Sequence, residues 1–184
     1  FHSFAVLRAL SPKDGDEEGM RPFDRKRNGR VLGEGAAVFV LEKESRARGR
    51  GARIYGSLAA CASTGSPVGI SHYETLGGQM VRAMEKAIHQ GGLSPHQVDY
   101  ICAAANSTRE LDRAEAKAIQ KVFGRGPRAP AVSSLKGHIG DFCGSGTLRA
   151  AALLLAMQDG KIPPTLGLID PEFDLNHVAG APRE

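Results

Sequence analysis

An α/β layered fold with parallel strands is what this sequence predicts. Between residues 99 and 159 it alternates strand, helix, strand and helix, and strands separated by helices pair in parallel through crossovers. Glycine and alanine are plentiful, aromatic residues are few and tryptophan is absent. That composition suits helices packed closely on a sheet. In such folds the working groups gather at the carboxyl ends of strands. Two stretches qualify, 103–108 and 135–146, and they lie side by side if their strands are neighbours.

Residues 1–30 read as irregular and charged. Ser11-Pro12-Lys13-Asp14-Gly15-Asp16 has loop chemistry, with proline fixing one dihedral and glycine freeing another. Glycines 29, 33 and 35 point to a close backbone approach. They are not a phosphate loop, because no strand precedes them and no Gly-Lys-Ser/Thr ending follows. Ala36 to Glu42 reads as a buried strand, 43–50 as a short charged helix or turn, and Ile54 to Ala62 as a second strand paired with the first. Gly65, Pro67 and Gly69 keep 63–73 irregular.

Leu76, Met80, Val81, Met84, Ala87 and Ile88 share one face and define a helix over 76–89, closed by Gly91-Gly92. Methionines at this spacing fill a core. Asp99 to Ala105 reads as a strand ending in a small-residue loop. Ser107 and Glu110 match a capping box opening a helix that carries Leu111, Ala114, Ala118 and Val122. Pro130 to Leu135 is a short β-branched strand. From about Gly144 to Met157 the helix is apolar on most faces and so is expected inside a core. Gly160 and Pro163-Pro164 end it, and 165–184 reads as mostly irregular.

The formal charge is +4, with basic clusters at 21–30 and 46–53. Each cluster reads as a solvated face, or as a docking patch for an acidic partner. Nucleic acid is not expected, because no aromatic residues interleave with the basic runs. Cys61, Cys102 and Cys143 are isolated, which argues against a disulfide framework or zinc site and for a reducing compartment. No apolar run is long enough to span a membrane and no leader pattern opens the sequence, so the expected location is the cytoplasm, with no membrane partner. No cofactor or metal is expected.

The stretch Val132 to Thr147 places Lys136, His138, Asp141 and Cys143 among glycines just before the apolar helix. Ionisable groups there are costly, and sites of chemistry often look like this. The bland alternative is a tight connection with solvated polar residues. Cys143 precedes a helix N-terminus, where the dipole favours a thiolate, but a cysteine there more simply packs as a small apolar side chain. Cys61 and Cys102 lie on strand-like runs and are expected in the core.

Four segments together resemble the β-ketoacyl-acyl carrier protein synthases of the thiolase superfamily. They are Arg21-Pro-Phe-Asp24 with Arg27, Gly29 and Gly33-Glu-Gly-Ala36; Asp112-Arg-Ala-Glu115 with Ala118 and Val122-Phe-Gly124; Val132-Ser-Ser-Leu-Lys136; and Ile162-Pro-Pro-Thr165. The resemblance covers nearly the whole chain. It implies a thiolase-like α-β-α-β-α layered fold made of two similar halves, usually dimerised. On that pattern residues 1–52 are the end of the N-terminal half and 53–184 most of the C-terminal half without its final loop. The nucleophilic cysteine is expected upstream of this chain.

The resemblance also implies which residues matter. Where the family carries its first catalytic histidine in His-Gly-Thr, this sequence has Ala104, Ala105 and Asn106. Counting forward from Lys136, the second histidine falls on Asp141, after Gly140. A one-residue gap is needed before Pro163, and a larger shift would bring His138 to the site. Lys136 and Asp141 are therefore the candidate catalytic residues, with Asp112, Glu115 and Asn106 in support. Asp112 and Glu115 either brace the loops or compensate the helix N-terminal charge.

In the family a cysteine thiolate takes an acyl group from a carrier protein, malonyl-carrier protein is decarboxylated, and its carbanion attacks the thioester. The histidines donate hydrogen bonds to the oxygen on which charge develops, and losing one such donor typically costs about 10² to 10³ in rate. Alanine donates nothing, and an ionised Asp141 would oppose the anion. The leading expectation is thus a catalytically impaired partner subunit, similar to a chain-length factor, in fatty-acid or polyketide assembly. Its partners would be an acyl carrier protein and a synthase, in a homo- or heterodimer. The alternatives are an active 3-oxoacyl-acyl carrier protein synthase using Lys136, His138 and Asp141, and a truncated product without activity.

Overall fold

The strand over 99–105 is realised as β1 (Tyr100–Cys102), and that over 130–135 as β2 (Ala131–Ser133). They pair in parallel, with Tyr100 opposite Ala131, Ile101 opposite Val132 and Cys102 opposite Ser133. The computed structural model describes residues 2–7, 9–12, 19–69 and 72–184. Most of the predicted opening loop, from Lys13 to Asp16, lies outside the described residues, as does part of the 63–73 loop.

Helix α3 (Gly78–Gln90) follows α1 (His2–Val6) and α2 (Glu44–Gly49) and ends at Gly91 as the glycine pair predicts. It packs on α4 (Arg109–Phe123), the crossover between the strands. Small residues let α4 approach closely, since Ala114, Ala116 and Ala118 are buried together with Leu111 and Ile119. On the same inward side lie Asp112 and Glu115, three apart and so on one face. The loop 135–146 holds an unforeseen single turn, α5 (Lys136–Ile139), before α6 (Ser145–Asp159), which stops at Gly160 with φ 65°.

The tail is less irregular than its sequence implies. Val132 N donates to Asn176 O (2.9 Å) and Val178 N to Val132 O (2.9 Å), so the far side of β2 is lined by 176–178. Thr165 N donates to Val178 O (2.8 Å) and Ile162 pairs with Arg183. The core gathers Phe23, Ala103, Ala105, Ala116, Ile119, Val132, Leu168, Phe173 and Leu175. Phe23 enters it from the N-terminal segment and meets Phe173 edge-on at 6.3 Å.

Several expectations are corrected. Ala36–Glu42 and Ile54–Ala62 form no strand and do not pair with each other; Val38 is 92% exposed and Val40 86%. Their apolar composition is that of buried strands, but no backbone ladder lies beside them among the described residues. In α6 only Ser145 is buried, and Leu155 and Met157 face outward. An apolar helix is buried only where something covers each face. Cys61 is exposed for the same reason, while Cys102 is half-buried on β1.

The Ser107–Glu110 capping box does not form. Ser107 is buried at φ 71° and its hydroxyl accepts from Arg21 N (2.5 Å). The N-cap residue preceding α4 is Thr108, whose N–H and hydroxyl both donate to Asn106 Oδ1 (3.1 and 2.7 Å). The basic run 21–30 is not a solvated face throughout, because Arg27 is completely buried.

Candidate functional site

Two loops leave the carboxyl ends of β1 and β2 side by side, and α4 fixes the first of them. Glu115 Oε1 accepts from Ala104 N (2.7 Å), and Asp112 Oδ1 accepts from Asn106 N (2.8 Å). The other Asp112 oxygen accepts from Phe23 N (2.8 Å) and lies 3.7 Å from Arg27 Nε. Both acids therefore hold loop backbone, which favours bracing over a role at the helix end. Burial pushes Asp112 up to about 7, against the two amide donors and the Arg27 charge. Burial raises Glu115 as well, against the Ala104 amide and Arg149.

The second loop is stitched to the first by Ser134, whose hydroxyl donates to Ala105 O (2.7 Å) and whose N–H donates to Thr165 Oγ1 (2.9 Å). A third segment closes the site. Residues 30–33 run beside 139–141, with Asp141 N donating to Val31 O (2.9 Å) and Gly33 N to Asp141 O (3.3 Å). Gly33 must be glycine here, since a Cβ would overlap the Ile139 carbonyl oxygen. This is the close approach that the glycine spacing predicts.

Asp141 sits where the three segments meet. Lys136 Nζ lies 2.6 Å from its Oδ1, and Arg30 Nη1 lies 3.0 Å from its Oδ2. Asn106 Nδ2 donates to that same Oδ2 (2.8 Å). The Asp141 and Lys136 side chains are each only 8% exposed. The structure thus brings together Lys136, Asp141 and Asn106, with Asp112 and Glu115 behind them and Ala104 on the adjoining loop.

His138 is elsewhere. It projects from α5, and its Nε2 donates to Pro164 O (2.8 Å). Cys143 is exposed and joins none of these contacts. Among the described residues no cluster of three or more His, Cys, Asp or Glu is arranged to hold a metal ion. An aspartate carboxylate facing three donors is an acceptor only, and the Ala104 N–H is already taken by Glu115.

Sequence reasoning missed Arg30 and Arg149, and it quoted Arg27 only as part of the family segment. Arg149 Nη1 donates to Ala103 O (2.6 Å) and Cys102 O (3.3 Å), anchoring α6 over the end of β1. Arg27 donates to Asp24 O (2.9 Å) and pairs with Glu172. The one available signal for Arg30 was that it follows Gly29, where the backbone was expected to come close.

Family models match the chain over two ranges: beta-ketoacyl synthase, N-terminal domain, over residues 1–47, and beta-ketoacyl synthase, C-terminal domain, over residues 55–168. The chain belongs to the β-ketoacyl synthase family. It is 38% identical over 187 residues to 3-oxoacyl-[acyl-carrier-protein] synthase 2 of Synechocystis sp., covering 100% of this chain and 45% of that protein. It is likewise 38% identical over 185 residues to the tetracenomycin polyketide synthase ketoacyl synthase alpha subunit of Streptomyces glaucescens, covering 98% and 43%.

Among solved structures, a type II polyketide synthase acyl-carrier protein in complex with its ketosynthase matches with a TM-score of 0.92 at 30% identity, covering 98% of this chain and 46% of that one. The ishigamide ketosynthase/chain length factor matches at 0.84 and 30%, covering 100% and 44%. These likenesses carry the thiolase-like fold expected from the sequence. The chain spans under half the length of the relatives named here. No described helix is long and apolar enough to cross a membrane.

Proposed function

We propose that this chain comes from a catalytically impaired β-ketoacyl synthase homologue that pairs with an active synthase in polyketide or fatty-acid assembly. The observation that carries this reading is Asp141. At a position where the family presents a histidine, Lys136, Arg30 and Asn106 surround an acceptor-only side chain. Ala104, at the other histidine position, has no polar side chain. Each missing donor is worth about 10² to 10³ in rate, and Lys136 is engaged with Asp141 rather than open to a substrate. On this reading residues 1–52 close the N-terminal half and 53–184 form most of the C-terminal half, in a cytoplasmic dimer. Its role would be to complete the acyl tunnel, as a chain-length factor does.

The natural polypeptide, purified alone and together with a complete synthase, tests this through malonyl-carrier protein decarboxylation. Alone it should run at least about 10²-fold below the synthase, and it should co-purify with one. Decarboxylation and condensation by the natural polypeptide alone, at the rate of a complete synthase, would establish the active-enzyme alternative instead. The exposed helix α2 supplies a docking surface for the acidic carrier protein. Arg46→Glu, Arg48→Glu and Arg50→Glu together reverse the charge of this basic run and should weaken carrier binding. Unchanged affinity would remove α2 from the docking surface.

A further inference from the structure

We infer that Arg30 is a positioning residue that, with Lys136, makes position 141 a seat for an anion. It thereby latches the 30–33 segment across both site loops. The inference rests on the reading of Asp141 given above and deepens it: the carboxylate there holds structure together, and a histidine restored to that place would not work while Arg30 remains.

The geometry assigns the role as follows. Arg30 lies in the range matched by the N-terminal family model and Asp141 in that matched by the C-terminal one. Their 3.0 Å contact therefore ties the two matched ranges together at the site. Arg30 is itself held on its other side, with its guanidinium carbon 4.8 Å from the centre of the Phe4 ring. The backbone pairing of Val31 and Gly33 with Asp141 keeps the arginine from swinging away. The charged and polar groups meeting residue 141 are Lys136 from α5, Arg30 from the segment at 30–33, and the neutral Asn106 amide. Two cations facing one side chain accept a carboxylate and disfavour a second positive charge.

An imidazole placed at 141 would accordingly be kept neutral, with its one acceptor nitrogen drawn to Lys136 or Arg30. The test is Asp141→His in the full polypeptide, with the new imidazole followed by NMR as pH is varied. The expected result is titration at least about one unit below the ordinary histidine value of about 6.5, recovering by about one unit when Arg30→Leu is added. Titration near the ordinary value, unmoved by Arg30→Leu, would overturn the inference. Because the histidine variant has to fold, a second measurement uses the near-isosteric Asp141→Asn. Its loss of thermal midpoint should be at least halved in an Arg30→Gln background, and fully additive losses would also overturn the inference. Neither readout depends on activity. Condensation by the natural polypeptide would sink the partner-subunit reading and leave the Arg30 result standing.

Discussion

Replacing Asp112 with alanine tests the bracing network most directly. The side chain is fully buried and accepts from two backbone amides, Phe23 N and Asn106 N, each at 2.8 Å. A buried donor left without a partner costs about 1–3 kcal/mol. Arg27, also fully buried, would lose the α4 carboxylate 3.7 Å from its Nε and keep the closer Glu172. Breaking a buried pair by removing one partner costs about 3–5 kcal/mol. These contributions share one network and do not add. Part of the loss is also offset, because burial already disfavours the ionised carboxyl, as its upward shift to about 7 records. The expected net destabilisation is about 3–5 kcal/mol, read as a lower urea midpoint at unchanged m-value. Asp112→Asn keeps one acceptor oxygen and should lose less. An alanine variant within about 1 kcal/mol of the natural protein would show that Asp112 braces nothing.

Gly33→Ala should destabilise by about 1–3 kcal/mol, because the new Cβ meets the Ile139 carbonyl oxygen and must lift 30–33 off 139–141. Faster hydrogen exchange at the Asp141 amide is the local check. Burial pushes the Glu172 carboxyl up, but Arg27, with help from Arg113 and Arg109, outweighs it and holds the group below its ordinary range. Its contribution to stability is thus present above about pH 4.5 and lost as pH falls, so Glu172→Gln should flatten the acid limb of the stability profile. Glu115 shifts the other way, so the native state binds its proton more tightly than the unfolded chain and stability falls as pH rises past the ordinary glutamate value. Glu115→Gln keeps an acceptor for Ala104 N and should gain on the natural protein as pH rises past the ordinary glutamate value, flagged by a widening difference in thermal midpoint; parallel profiles would refute the shift.

Legibility followed periodicity and backbone demands. The strand-helix-strand unit was readable because its apolar spacing is set by contacts within the same stretch of chain. Gly33 was readable because only glycine tolerates the approach it makes. Ala36–Glu42, Ile54–Ala62 and α6 misled because apolar content records that a surface needs covering, whereas burial depends on what lies beside it. Ser107 misled because a capping box is a local pattern, and Arg21 competed for the hydroxyl from 86 residues away. Arg30 was hidden for a similar reason. In one dimension it is one more member of a basic run, and only the pairing of 30–33 with 139–141 turns it onto Asp141.

The contrast between what the site keeps and what it lacks bears on the choice between a partner subunit and a product without a task. Asp112 and Glu115 are buried acids whose ionised forms burial disfavours. Apolar residues of similar volume in such places are often neutral or more stabilising, so stability alone does not call for carboxylates there. What they secure is the backbone of 104–106, held to within hydrogen-bond distance of α4. The same loop is tied to Ser134 and, through Asn106, to Asp141. A chain with no use for these loops would gain nothing from fixing their path with buried carboxyl groups. A chain whose loops must present a shaped wall to an acyl chain or to a second subunit needs that path and does not need donors aimed at an oxyanion. On the proposed reading, the arrangement around Asp141 serves the second requirement.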